Sequence, residues 1–321
     1  MKEKAFVSVV LYLQNNAQEI PQFLPALDGF ISDNFENYEI IAVNDFSSDG
    51  SDERIRAAAQ SLNRDITLVN LAWRHGPEKG VMAGVDLAIG DYVFEIEMDK
   101  VNYPLGLIYE LFKEASKGFD IVSASPANKQ NLGDILFFKL FNKISYLPFD
   151  VDKETARIVS RRAINSILGM NEQIIYRKIL YKFSGFPSKV LKYEPMASSS
   201  KIRGLSLREK MRLAMDVFVS FSNIGTDVSV AMSSLFLVIS LLLGVYALAI
   251  YITQSGVVPG WTTQVLFMSL CFSGVFMVLG LQSKYISIIL FEAKGRPNYT
   301  VRSVERHQGM RECNWHENRG I

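Results

Sequence analysis

The feature that most constrains this chain is a long run without charged side chains. Residues 228–283 contain no Asp, Glu, Lys, Arg or His. A helix that crosses a bilayer needs about 20 apolar residues, so the run is long enough for two crossings. Pro259 and Gly260 interrupt the helical pattern between them. The sequence therefore predicts a hairpin of two transmembrane helices, at about 228–253 and 264–286. A buried helical hairpin in the core of a soluble domain is the alternative.

Cations flank this run on both sides, whereas the segment between the two predicted spans carries no charge. Loops rich in Lys and Arg stay on the cytoplasmic side of a membrane. We therefore expect a multi-pass protein of the cytoplasmic (inner) membrane, with both termini and the soluble domain in the cytoplasm and the bilayer as a partner. The flanking cations are Lys201, Arg203, Arg208, Lys210 and Arg212 on one side, and Lys284, Lys294, Arg296, Arg302 and Arg306 on the other.

Two segments border the predicted hairpin. Residues 201–225 combine apolar side chains with Arg and Lys at helical spacing, which predicts an amphipathic helix in the membrane interface. Residues 291–321 are polar and are expected to form a cytoplasmic tail without regular structure. The net charge of +1 gives no sign of a nucleic-acid partner.

Residues 1–200 alternate between strand and helix patterns, which predicts an α/β domain. Such alternation gives a mostly parallel sheet, and ligands bind beyond the carboxyl ends of its strands. The continuous apolar, β-branched runs indicate strands covered on both faces. The predicted strands are 6–13, 38–44, 66–71 and 91–96, and the predicted helices are 19–33, 49–62 and 79–88.

Polar residues follow each of these strands, and Glu97-Met98-Asp99 is the most informative group. In a continuing strand, residues i and i+2 point to the same side, so both carboxylates are expected to face one centre. Paired carboxylates at a strand end suit Mg²⁺ or Mn²⁺ on the phosphates of a nucleotide. A plain solvated pair of acids is the alternative.

The order of the motifs resembles that of the family 2 inverting glycosyltransferases of GT-A fold, a Rossmann-like α/β fold. Within this family, the chain is similar to the polyprenyl-phosphate branch, which includes dolichyl-phosphate mannose synthase and bactoprenol glucosyltransferases. The resemblance runs from about residue 7 to residue 301. The matching segments are SVVL at 8–11 with Asn15, YEIIAVNDFSSDGS at 38–51, GDY at 90–92, EMD at 97–99, GFDIV at 118–122, RIVSRR at 157–162, SK at 200–201 and EAKGRPNY at 292–299. Asn44 and Glu97 stand where the family has Asp, and Tyr12 stands where it has Pro.

The resemblance implies inverting transfer of a sugar from a UDP-linked donor to a polyprenyl phosphate such as undecaprenyl phosphate. Glu97 and Asp99 would bind Mg²⁺ or Mn²⁺, and Asp45 would accept hydrogen bonds from the base. Asp99, Arg157 and Lys201 would be catalytic, with the two cations on the phosphate of the acceptor. The residues expected at the nucleotide are Leu11, Tyr12, Asn15, Asp45, Ser47, Gly76, Lys79 and Met98.

Two other functions remain open at this point. The acceptor could be an oligosaccharide or a diacylglycerol lipid, or the domain could be a degenerate nucleotide-sugar-binding subunit that scaffolds a membrane complex. Assembly into a homo-oligomer is also left open.

Overall fold

The computed structural model describes residues 2–127, 154–170, 177–196, 260–293 and 298–309, together with seven helical positions between 231 and 245. These residues fall into two compact units, one built around a sheet and one that contains a long helix. Lys201, the predicted interfacial helix at 201–225 and most of the first predicted span lie outside the described residues.

The sheet unit contains eight strands and six helices among the described residues. Its strands are β1 (Glu3–Leu13), β2 (Phe35–Asn44), β3 (Ile66–Leu71), β4 (Tyr92–Glu97), β5 (Ile121–Pro126), β6 (Ala156–Ser160), β7 (Ser188–Tyr193) and β8 (Val301–His307). Its helices are α1 (Ile20–Asn34), α2 (Ser51–Ala59), α3 (Pro77–Leu87), α4 (Gly106–Ala115), α5 (Arg161–Gly169) and α6 (Arg177–Phe183). The long helix of the other unit is α7 (Trp261–Ala293).

The strands form one sheet in the order β7-β5-β6-β4-β1-β2-β3-β8. Strands β4, β1, β2 and β3 are mutually parallel, while β6 and β8 run antiparallel to their neighbours. This arrangement confirms the predicted α/β fold with a mostly parallel sheet. Because β1 to β4 run in the same direction, their carboxyl ends meet at one edge of the sheet.

Both faces of the sheet are covered, which explains why its central strands are apolar throughout. On one face, Leu11 of β1 packs in a core with residues of α1, α2 and α4. On the other face, Val10 and Tyr12 pack with residues of α3, α5 and α6. Alternate side chains of the same strand therefore enter two different cores.

Helix α3 lies unusually close to β1 because two of its residues lack side chains. A Cβ atom on Gly84 would lie 2.4 Å from Cγ1 of Val10 and 2.8 Å from Cγ2 of Val43. A Cβ atom on Gly80 would lie 2.5 Å from the ring of Tyr12. These glycines thus let the start of α3 sit directly over the carboxyl end of β1.

The prediction of a structureless polar tail is wrong for residues 301–307, which form β8. This strand pairs antiparallel with β3, with Glu305 opposite Leu68 and Ser303 opposite Asn70. Its side chains are alternately exposed and half-buried, as in an edge strand. Arg56 of α2 binds Glu305 through Nε at 2.9 Å and Nη2 at 3.2 Å. The polar composition of the strand reflects this edge position.

The second predicted span falls within α7, a continuous helix of 33 residues. Several large apolar side chains of α7 are exposed, among them Phe272, Phe276 and Ile286. Within the part of the chain that the structure describes, no helix meets the length and hydropathy required of a membrane span. The transmembrane hairpin stays a prediction.

We expect Gly84→Ala to destabilise the sheet unit, because the added methyl group overlaps Val10 and Val43. Overpacking of this kind costs about 1–3 kcal/mol. Gly29→Ala in α1 is the matched control, since its Cβ atom meets nothing within 4 Å and replacing a helical glycine by alanine stabilises by about 0.5–1 kcal/mol. Chemical unfolding of the full chain measures both variants. Equal stability of the two variants would contradict the close approach of α3 to β1.

Candidate active site

Strand register brings the predicted site residues of β1, β2 and β4 to one edge of the sheet. Tyr12 of β1 lies opposite Val43 of β2 and Glu97 of β4. Asn44 lies opposite Leu13 on one side and Asn70 on the other. The polar ends of four parallel strands therefore share one surface, as the sequence predicts.

Asp45 is the organising residue on the β2 side of this edge. Its side chain is fully buried and accepts three hydrogen bonds, from the backbone N–H of His75 at 2.7 Å, the backbone N–H of Gly76 at 2.8 Å and the hydroxyl of Tyr12 at 2.7 Å. Burial, followed by the nearby carboxylate of Asp45, raises the pKa of Tyr12 above its ordinary value, so its hydroxyl remains a donor. Asp45 thus fixes the loop after β3.

This arrangement gives Asp45 a structural role that the sequence did not predict. A carboxylate offers about four lone-pair positions, and donors of the protein itself occupy three of those of Asp45. The group is buried, and its predicted contact with the base stays a prediction. Asp45 acts on the site by holding Tyr12 and the backbone at His75 and Gly76.

Asn15 and Ser47 join the loops that follow β1 and β2. The backbone N–H of Asn15 donates to Oγ of Ser47 at 3.0 Å, and Oδ1 of Asn15 accepts from the backbone N–H of Ser48 at 2.9 Å. Asn15 has a φ of 59°, a left-handed conformation that Asn tolerates better than most residues. Both residues lie at the predicted edge, where they fix the shape of its surface.

Two of the predicted nucleotide contacts are core residues. The side chain of Leu11 is fully buried, and Met98 is 7% exposed; both pack in the core on the side of α1 and α4. Alternation in β1 sends Leu11 to the face opposite Tyr12. Their side chains therefore lie in the core, and the predicted nucleotide contact of these two residues stays a prediction.

The geometry of the acidic motif differs from the one expected. Strand β4 ends at Glu97, and residues Met98–Lys100 form a 3₁₀ turn. In such a turn, residues i and i+3 lie on the same side, so Lys100 comes to lie beside Glu97. The ammonium group of Lys100 forms an ion pair with Oε2 of Glu97. The strand does not continue to Asp99, so strand alternation does not place its carboxylate, and a shared centre for the two acids stays a prediction.

A buried cluster of ion pairs lies directly behind this motif. Glu95, two positions before Glu97 in β4, binds Nη1 of Arg157 at 3.2 Å and Nη1 of Arg177 at 2.8 Å. The hydroxyl of Tyr181 also donates to Glu95. Arg157 forms a further ion pair with Glu154, and its guanidinium lies 4.4 Å from the centre of the Tyr181 ring.

Arg157 is therefore a buried partner of two carboxylates. It is 5% exposed, so its placement gives no support to the predicted contact with the phosphate of an acceptor. The predicted role rested on the position of Arg157 in a motif, whereas burial and pairing depend on contacts with distant strands and helices. Lys201, the other predicted acceptor contact, lies outside the described residues.

Arg177 is a residue that the sequence analysis missed. Its Nη2 binds Oε1 of Glu97 at 2.7 Å, and its backbone N–H and Nε bind Glu78 at 2.8 and 3.1 Å. It therefore links the start of α6 to the start of α3 and to the acidic motif. The one signal in the sequence is Glu95, a charged residue inside an otherwise apolar strand that requires a buried cation.

An exposed aromatic side chain stands at the β3 end of the same edge. Trp73 is 55% exposed and stacks on the ring of His75, with ring centroids 5.0 Å apart. Nδ1 of His75 donates to the carbonyl of Trp73, and Nε2 accepts from the backbone N–H of Thr300, just before β8. Lys79, in the first turn of α3, is half-buried, and burial lowers its pKa.

Comparison with known proteins identifies the domain. Residues 8–159 match the model of glycosyl transferase family 2. The chain contains a family 2 glycosyltransferase domain. The chain is 28% identical over 313 residues to the SfII prophage-derived bactoprenol glucosyl transferase of Shigella flexneri, covering 94% of this chain and 98% of that protein. It is 26% identical to the prophage bactoprenol glucosyl transferase homolog of Escherichia coli K12, covering 94% and 99%.

The predicted enzyme class and branch are thus confirmed: the chain is a glycosyltransferase, and its relatives are those of the polyprenyl-phosphate branch. A further relative is the putative glycosyltransferase CsbB of Bacillus subtilis, 24% identical and covering 94% of this chain. Among solved structures, mannosyl-3-phosphoglycerate synthase of Rubrobacter xylanophilus aligns with a TM-score of 0.47 at 17% identity, over 66% of this chain and 71% of that one.

The acidic motif of this glycosyltransferase contains side chains of the kind that bind a hard divalent cation. Glu97 and Asp99 offer carboxylate oxygens, the ligands that Mg²⁺ and Mn²⁺ prefer. However, Oε1 of Glu97 already binds Arg177 and Oε2 binds Lys100. Within the described residues, no three His, Cys, Asp or Glu side chains form a metal cluster. The two acids therefore fit a divalent cation by their chemistry, and at Glu97 such a cation would compete with Lys100 and Arg177.

We expect Arg157→Met to destabilise the transferase domain, because it leaves Glu95 and Glu154 buried with fewer cations. Removing one partner of a buried ion pair costs about 3–5 kcal/mol. Arg306→Met is the matched control, since its pair with Asp65 is at the surface, where the Arg306 side chain is 74% exposed and such pairs contribute about 0–1 kcal/mol. Chemical unfolding measures both. Wild-type stability of Arg157→Met, with slower use of an acceptor, would restore the acceptor role.

Proposed function

We propose that this glycosyltransferase transfers a sugar from a UDP-linked donor to a polyprenyl phosphate at the cytoplasmic face of the membrane, with inversion at the anomeric carbon. The observation that carries the proposal is the extent of the match to bactoprenol glucosyl transferases. It covers 94% of this chain and 98% of the Shigella flexneri protein, so it extends well past the residues of the family 2 domain.

The edge of the sheet suggests how the donor lies. Trp73 is exposed and stacks on the buried ring of His75, next to Asp45, so its ring is suited to stacking of a nucleobase. The acidic motif and Lys100 stand at the end of β4, beyond Tyr12 of β1. We place the base at the β3 side and the diphosphate at the β4 side, with the ring of Tyr12 between them.

The chemistry requires little from a general base. The oxygen of a lipid phosphate is already anionic, so it attacks the anomeric carbon in line while the bond to the diphosphate breaks, and no proton has to be removed. Catalysis then rests on positioning and on compensation of charge. Mg²⁺ or Mn²⁺, held by Asp99 and Glu97 when bound, would supply neutralisation of the leaving diphosphate.

The chain's own cations complete this electrostatic environment. Arg177 is fixed by Glu78 and Glu95, and through its contact with Glu97 it sets the position of the acidic motif. Lys79 lies in the first turn of α3, where helix N–H groups also favour negative charge. Asp99 follows Glu97 in the turn and is proposed to face the diphosphate.

The membrane part of the proposal rests on sequence and on exposed apolar side chains. The charge-free run at 228–283 is flanked by Lys and Arg, and α7 exposes large apolar side chains such as Phe272, Phe276 and Ile289. A soluble protein rarely exposes so many apolar groups on one helix. We propose that this helix belongs to a membrane hairpin with both termini in the cytoplasm. A lipid-linked acceptor then lies close to the enzyme.

The acceptor is tested with the purified full chain, labelled UDP-sugars and undecaprenyl phosphate. We expect a labelled product that partitions into butanol and that forms only when the polyprenyl phosphate is present. Asp99→Asn is the matched control and should lose most turnover, because the diphosphate then lacks this carboxylate and its metal. Sugar transfer to an oligosaccharide or to diacylglycerol, but not to the polyprenyl phosphate, would rule out this acceptor.

The nucleobase position is tested by Trp73→Ala. Stacking of a base on an aromatic side chain contributes about 1–3 kcal/mol, so we expect calorimetry to show weaker UDP binding by that amount. Ile89→Ala is the control, because Ile89 is 68% exposed but precedes β4 and so lies at the opposite edge of the sheet. Unchanged UDP affinity in Trp73→Ala would place the base elsewhere.

A further inference from the structure

Lys100 is paired with Glu97, one of the two acids of the predicted metal site. Its ammonium group forms an ion pair with Oε2 of Glu97, and the Lys100 side chain is 28% exposed whereas that of Glu97 is 9% exposed. The 3₁₀ turn at Met98–Lys100 enforces this contact, because it brings residue i+3 over residue i. Oε2 of Glu97 is therefore already compensated by a cation of the chain itself.

The remaining contacts of Glu97 keep it in place. Its other carboxylate oxygen binds Nη2 of Arg177 at 2.7 Å, and Arg177 is also bound to Glu78 and Glu95. Arg177 is buried and held by three carboxylates, so it is the fixed cation of the pair. Lys100 has a long flexible side chain and partial exposure, so it is the cation that can move.

The ion pair already neutralises one oxygen of the Glu97 carboxylate with a cation of the chain itself. A divalent cation that approaches Glu97 in the free protein therefore meets the ammonium group of Lys100. A diphosphate that enters the same space offers this ammonium group an alternative anion.

We propose that Lys100 is an internal counter-cation that competes with a divalent metal for Glu97 and that turns to the donor's diphosphate when the donor binds. The diphosphate part rests on the proposed function, while the competition at Glu97 rests on the ion pair alone. The exchange couples the two ligands: a donor that draws Lys100 away also opens Glu97 to the metal, and by linkage the metal favours the donor.

The test measures binding rather than turnover. Titration of the full chain with Mn²⁺ alone, without nucleotide, should show about tenfold tighter binding in Lys100→Gln than in wild type, since one charge-assisted contact no longer competes. Titration with UDP in excess EDTA should show about tenfold weaker binding in the same variant, since the diphosphate loses a cation. Lys100→Arg keeps the charge and should restore wild-type behaviour in both titrations.

The chain provides a matched control in Lys117, which forms an i, i+3 ion pair with Glu114 at 2.7 Å on the surface. Lys117→Gln should leave both affinities unchanged. Mn²⁺ affinity of Lys100→Gln within twofold of wild type would overturn the proposal. If UDP fails to bind to any variant while Mn²⁺ binds more tightly to Lys100→Gln, the competition stands and the proposed donor is wrong.

Discussion

The buried carboxylate of Glu95 is the interaction on which the geometry of this transferase depends. A charge inside a strand between two cores is unfavourable unless cations and donors surround it, and Arg157, Arg177 and Tyr181 do so. These partners come from β6 and α6. The need to neutralise Glu95 therefore holds both elements against the centre of the sheet. Because Arg177 also binds Glu97, the same network positions the acidic motif. The same ion pairs thus stabilise the fold and position the candidate active site.

The sequence predicts the first half of the sheet well because its determinants are local. The apolar runs in β1 to β4 and the turns between them appear in the structure within a few residues of the expected bounds. Residues whose role depends on distant partners were predicted poorly. Arg177 contacts Glu97 across 80 positions in the chain, and Asp45 is satisfied by donors from β1 and from the loop after β3. No periodicity in the sequence encodes such contacts.

Strand β8 explains one departure from the family pattern. Asn44 stands where the family has Asp; its Nδ2 donates to Oδ1 of Asn70 at 2.9 Å, and Nδ2 of Asn70 donates to Glu305 at 3.0 Å. Glu305 in turn binds Arg56, which lowers the pKa of Glu305 to about 2. These hydrogen bonds all run in one direction, because each amide NH₂ group donates to the next residue on the way to the carboxylate of Glu305. An ionised aspartate at position 44 could not donate a hydrogen bond to Oδ1 of Asn70. If the Asn70 amide were rotated so that its NH₂ group faced that aspartate, its carbonyl oxygen would face the carboxylate of Glu305, which also has no proton to donate. Asn44 is therefore adapted to β8.

The same strand shows that the transferase domain is not one continuous segment. Residues 301–307 follow α7 in the chain, yet they form the edge of the sheet beside β3. The backbone N–H of Thr300 donates to His75, whose own backbone N–H donates to Asp45. The loop proposed to receive the nucleobase is thus held from both sides, by Asp45 and by the residues just before β8. A domain cut at residue 200 would lose that second support and expose the edge of β3. Residues 300–307 therefore support the site as much as the motifs in the first hundred residues do.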